Sequence, residues 1–92
     1  AMTTGVKTRN DIIGLDQTVA LNDCRGGQGR ELLTLFEQAE ADGLRTGIVS
    51  TARITHATPA SAYAHVANRD WENDSEVPEA AREAGCIDIA RQ

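Results

Sequence analysis

Apolar residues recur at helical spacing over residues 30–42. Leu32, Leu35, Phe36 and Ala39 fall on one face, with Glu31, Glu37 and Glu40 outside it. That period predicts a helix from Arg30 to Asp42. Gly43 stands where a left-handed residue closes such a helix. Strand-like residues then run from Leu44 to Ser50, around Ile48-Val49, and Gly47 leaves room for a close neighbour. Ile12-Ile13-Gly14-Leu15-Asp16 reads as another short strand, and the glycines between Asn22 and Gly29 mark a loop. Helix, strand and helix in succession predict an α/β fold.

Thr58-Pro59 has the form of a helix start, a hydroxyl N-cap followed by proline at the first helical position. The predicted helix carries Ala60, Tyr63, Ala64 and Ala67, with Arg69 just past its end. Residues 71–75 read as an acidic turn. Val77-Pro78 opens a further short helix that Gly85 ends, and Cys86 to Gln92 begins another. Thr3 to Thr8 looks like the end of an element begun earlier. The stretch Ile54-Thr55-His56-Ala57-Thr58-Pro59 follows the Ile48-Val49 strand directly. In open α/β folds ligands bind at that end of a strand, where loop groups and helix N-termini converge.

Composition narrows the possibilities. Of the 92 residues 40% are hydrophobic, but 14 are alanine and only Phe36, Tyr63 and Trp71 are aromatic. Large side chains supply most of the ~25 cal/mol per Å² gained on burial, so these residues are expected to form an incomplete core. A strand buried on both faces needs neighbours, and the chain offers at most one other. A net charge of −5 argues against nucleic-acid binding, which wants a basic face. No run approaches the ~20 apolar residues of a membrane span, and no targeting segment is visible. Cys24 and Cys86 form no CxxC, and their spacing relative to His56 and His65 is not that of a zinc finger. They read as a disulfide or as two buried thiols.

Taken singly, each candidate residue has an ordinary explanation. His56 reads as a polar loop histidine, Thr58 as an N-cap, and Arg69 as a surface charge favouring a helix C-terminus. His65 reads as a hydrogen-bonded structural histidine and Trp71 as a packing anchor. Together, an imidazole, a hydroxyl and a guanidinium suit a phosphate or a hard metal ion.

Several spaced motifs carry a more specific likeness. Thr51-Ala52-Arg53-Ile54-Thr55-His56-Ala57-Thr58-Pro59, Tyr63-Ala64-His65, Asn68-Arg69-Asp70-Trp71 and Glu83-Ala84-Gly85-Cys86-Ile87-Asp88-Ile89-Ala90 resemble alkaline phosphatases. The animal-type branch is nearer than the enteric bacterial one, and Thr4-Gly5-Val6-Lys7-Thr8 resembles the segment after the nucleophile helix. The resemblance implies an alkaline-phosphatase-like sandwich, with helices packed on a mainly parallel sheet. Residues 1–92 are then one internal segment of the catalytic domain.

The resemblance also assigns roles. Arg69 matches the arginine whose planar fork holds two phosphate oxygens. Thr58 matches a hydroxyl ligand of Mg2+, with the cap dominating when no metal is bound. His56 matches a residue beside that metal, acting through water. Cys24 and Cys86 match a disulfide pair, which implies a periplasmic or secreted protein. The family's serine nucleophile, its Zn2+ ligands and the carboxylates of the Mg2+ site match nothing in these residues, so the segment is expected to be inactive alone. The implied enzyme hydrolyses phosphate monoesters and is a homodimer or other oligomer. Two rival readings are a non-enzymatic binding or assembly module and an unrelated α/β anion-binding domain.

Overall fold

Ile12, Ile13, Gly14 and Leu15 are all buried, and the rest of the chain is laid against them. The computed structural model describes residues 1–92. Ile13 and Val66 exchange both backbone hydrogen bonds (3.0 and 2.8 Å) in an antiparallel pairing. On the other side, Leu15 pairs with Glu31, and the Leu32 amide donates to the Gly14 carbonyl at 2.8 Å. The predicted Ile12–Asp16 strand is therefore the centre of the molecule, reduced to single bridges. Its neighbours are irregular segments, so no ladder extends.

Four short helices surround this spine: α1 (Cys24–Gly27), α2 (Leu35–Ala41), α3 (Ala57–Ala60) and α4 (Glu79–Glu83), with 3-10 turns at Asp74–Glu76 and Ile89–Arg91. The helix expected from Arg30 begins five residues later. Thr34, fully buried, accepts from the Glu37 amide while the Glu37 carboxylate accepts from the Thr34 amide, a capping box that sets the start. Gly43 closes it at φ +81°, as the sequence predicts. Its apolar stripe is barely used, because Leu35 is exposed and no residue of α2 is buried.

Two further expectations are corrected. Residues 44–50 form no strand and lie exposed apart from a half-buried Ile48. A strand gains its backbone hydrogen bonds from a neighbour, and none is present to pair with it. The helix predicted from Thr58 through Ala67 ends at Ala60 and trails off in a turn. Val66 leaves the helical path because its amide is claimed by Ile13. Beyond α4, ended by Gly85 at φ +91°, the expected terminal helix is only the Ile89–Arg91 turn, capped by the Asp88 carboxylate. No sheet forms among the 92 residues, so the parallel sheet expected for the whole fold is absent from this structure.

The core joins the spine to Ala60, Ala64, Val66, Ala67, Trp71, Val77, Ala81 and Ile89. Alanine lets segments approach closely but fills little volume. The chain exposes 5957 Å², whereas a folded protein of 9.9 kDa is expected to expose about 5,200 Å². Its radius of gyration, 12.6 Å, is close to the roughly 12 Å of an ordinary chain this long. Elongation is therefore not the cause. Part of the excess is uncovered apolar surface, on Leu33, Leu35, Leu44, Val49 and Ile54.

Candidate functional site

Residues 51–56 form a loop, exposed as far as Ile54, that delivers His56 and Thr58 to the start of α3. His56, rather than Thr58, is the N-cap residue. Its carbonyl accepts from the Ala60 amide at 2.9 Å, and its imidazole makes no capping bond. Thr58 sits one residue into the helix and Pro59 follows it, within the first turn where proline costs no hydrogen bond. The expected Thr58 cap is thus replaced. The Thr58 side chain is exposed and has no hydrogen-bond partner in the chain, leaving both lone pairs of its hydroxyl free. The Nδ1 atom of His56 is buried and unpartnered.

Arg69 is reached by a different route. Its backbone amide donates to the Asp11 carbonyl at 2.7 Å, and Asp11 turns back at φ +65° to present that oxygen. The half-buried side chain has no hydrogen bond or ion pair within the chain. It lines a cavity of about 290 Å³ together with Lys7, Thr3, Thr4, Ala57 and Ser61. Thr58 lines a second cavity, of about 380 Å³, with Met2, Phe36, Val49 and Pro59. The two cavities share Thr3 and Ser61. Arg69 and Thr58 therefore face adjoining spaces rather than one pocket, and His56 lines neither.

An ion pair ties these two segments together. Arg53 donates through Nε and Nη2 to the two carboxylate oxygens of Glu72, at 2.9 and 2.7 Å, and the Thr55 hydroxyl donates to Oε2 at 2.7 Å. The Arg53 hydrogen bonds, then that of Thr55, outweigh desolvation and hold the Glu72 carboxyl down at about 2. His65 is anchored through both ring nitrogens, Nδ1 at 2.8 Å from the Gly14 carbonyl and Nε2 at 2.7 Å from Glu37. Burial pushes the Glu37 carboxyl up, but hydrogen bonds from His65 and the Thr34 amide leave it below its ordinary value. His65 is structural, as expected, and Trp71 is a buried anchor whose carbonyl receives the Ile89 amide at 2.9 Å.

The donors present do not by themselves make a Zn2+ or Mg2+ site. No three His, Cys, Asp or Glu side chains converge, and Thr58 offers one neutral oxygen where Mg2+ requires an octahedron of them.

The alkaline phosphatase family model matches residues 1–92. The chain belongs to the alkaline phosphatase family. Among animal relatives, it is 47% identical over 88 residues to the tissue-nonspecific isozyme of Gallus gallus, covering 96% of this chain and 17% of that protein. It is 50% identical over 93 residues to alkaline phosphatase 4 of Drosophila melanogaster, covering 100% of this chain and 15% of the relative. The alkaline phosphatase of Gadus morhua is 43% identical over 88 residues, with 96% and 18% covered. The chain thus spans less than a fifth of the length of these relatives. Alkaline phosphatases as a family use Zn2+ and Mg2+ and have an α/β fold.

The family's expected cystine is present. Cys24, which opens α1, and Cys86, after α4, are joined with their Cα atoms 6.0 Å apart. No helix is long and apolar enough to cross a membrane. Two features escaped the reading of the sequence. The Arg53–Glu72 pair spans 19 residues and has no local signature. The Thr34-x-x-Glu37 capping box does have one, although the apolar period that begins at Leu32 points to an earlier start.

Proposed function

We propose that these residues form an internal segment of the catalytic domain of an alkaline phosphatase, a phosphomonoesterase. The whole enzyme hydrolyses phosphate monoesters through a phosphoserine intermediate, as a homodimer outside the cytoplasm. When bound, Zn2+ would supply the Lewis acidity that activates the serine and stabilises the leaving oxygen. The serine and the Zn2+ ligands are supplied from outside these residues. The segment contributes Arg69 as the phosphate-binding fork, Thr58 as one oxygen ligand of Mg2+, and His56 beside that metal. A helical sandwich on a mainly parallel sheet, with residues 44–50 as one strand, is the fold of the assembled enzyme in this reading.

The observation that carries the reading is Arg69. A half-buried guanidinium with no partner in its own chain, lining a cavity that Lys7 and Asp11 also line, is a charge arranged for an incoming anion. The overall charge of −5 repels phosphate, so attraction must come from aimed donors of this kind.

In the full-length enzyme, Arg69→Ala should lower kcat/KM for p-nitrophenyl phosphate by about 100-fold, the loss expected for a bidentate charge-assisted contact, and Arg69→Lys should recover little of it. The purified 92-residue chain should be inactive. An Arg69→Ala enzyme with unaltered kcat/KM and unaltered inhibition by inorganic phosphate removes the proposal.

A further inference from the structure

We infer that Glu72 is a positioning residue: it clamps the loop carrying His56 and Thr58 to the segment carrying Arg69, and so sets the geometry between the metal ligand and the phosphate fork. The inference rests on the roles proposed above for Arg69 and Thr58.

Glu72 is itself held firmly. Trp71, its neighbour, is 3% exposed, and the Ile89 and Ala90 amides donate to the Trp71 and Glu72 carbonyls at 2.9 and 3.0 Å. Arg69 lies three residues upstream on the same stretch, tied to Asp11. The loop it grips is the opposite case. Residues 50–54 are all exposed, so packing does little to fix them. Three polar attachments hold the loop instead: Arg53 and Thr55 on the Glu72 carboxylate, and the Tyr63 hydroxyl donating to the Ile54 carbonyl at 2.9 Å.

What the clamp holds is transmitted directly. The His56 amide donates to the Arg53 carbonyl at 2.9 Å, and the His56 carbonyl receives the Ala60 amide. Arg53, His56 and the first turn of α3 therefore form one hydrogen-bonded unit that includes Thr58. A carboxylate is the group this task needs. Its two oxygens meet the Arg53 fork in a planar, bidentate contact and still accept the Thr55 hydroxyl. Glutamine would turn an N–H2 group toward the guanidinium and lose one arm of the fork.

The test uses the full-length enzyme with Glu72→Gln, Glu72→Asp, Arg53→Gln and the Arg53→Gln/Glu72→Gln double variant. Arg69→Ala and Thr58→Ala serve as references. Glu72→Gln should raise the Mg2+ concentration for half-activation by about tenfold, the scale of losing a group that orients a metal ligand. The inhibition constant for inorganic phosphate should rise several-fold, while the thermal midpoint of the fully loaded enzyme moves by only a few degrees. Arg53→Gln should match it, the double variant should be no worse than either single one, and Glu72→Asp should recover part of the loss. If Arg69→Ala weakens phosphate and Thr58→Ala weakens Mg2+ while Glu72→Gln alters neither, the clamp is refuted and the site stands. Additive losses in the double variant, or losses that vanish when rates are normalised to folded enzyme, refute it as well. If Arg69→Ala and Thr58→Ala are themselves silent, the functional reading fails and this inference goes with it.

Discussion

A methyl group built on Gly14 would lie 2.2 Å from the carbonyl oxygen of Ala64 and 2.6 Å from Nδ1 of His65. The spine and the segment after α3 are therefore in contact backbone to backbone. Gly14 is also left-handed, at φ +65°. Gly14→Ala meets both penalties: about 1–2 kcal/mol of backbone strain and a clash with a carbonyl that cannot turn away. We expect at least 3 kcal/mol of lost stability, the range of a severe core lesion. Urea unfolding of the protein carrying the segment checks this, and a variant with an unmoved midpoint would contradict the packing.

The cystine joins residues 62 apart in sequence. Closing a loop of that length is worth about 4 kcal/mol in the chain-entropy account. Cys86→Ser should therefore lower the urea midpoint markedly, and dithiothreitol should reproduce the shift in the wild type but not in the variant. Equal midpoints with and without reductant would show that the bond contributes nothing.

Acid should loosen the molecule in a defined window. The Glu72 carboxyl falls from an ordinary 4.5 to about 2 in the folded state. Glu37 moves the same way against its burial, and Asp16 does so chiefly through the Thr18 hydroxyl. A carboxyl that binds protons less readily when folded makes stability rise with pH. That contribution is full above about pH 4.5 and drains as pH falls toward 2. Unfolding midpoints measured from pH 5 down to pH 2 should decline steadily, and Glu72→Gln should flatten the decline. An identical slope in the variant would mean that the Arg53–Glu72 pair does not titrate with folding.

Val49 is fully exposed in this chain, although its sequence context predicts a buried strand. Val49→Ser should change the stability of the 92-residue chain by less than about 0.5 kcal/mol, as for an ordinary surface position. In the full-length enzyme, where residues 44–50 are proposed to lie in a sheet, it should cost roughly 1.5 kcal/mol or more. A neutral effect in both settings would argue that this segment never pairs.

Features that depend on near neighbours or on order along the chain were legible before any folding was considered. The motif order from Thr51 to Trp71 placed the chain in its family, as the match over residues 1–92 bears out. The Ile12–Leu15 run announced burial, and Gly43 and Gly85 announced helix ends, because a left-handed stop is a local demand. Even the start of α2 was written locally, in Thr34 and Glu37. Whatever needed a partner from far along the chain was settled only by long-range packing. Whether Ile12–Asp16 or residues 44–50 pairs at all turns on which backbone lies alongside, and the first finds single bridges to Val66 and Glu31 while the second finds nothing. The helix after Thr58 is cut short because a distant isoleucine takes the Val66 amide. The joining of Arg53 to Glu72 follows from chain reversal, since no spacing rule relates residues 19 apart in sequence.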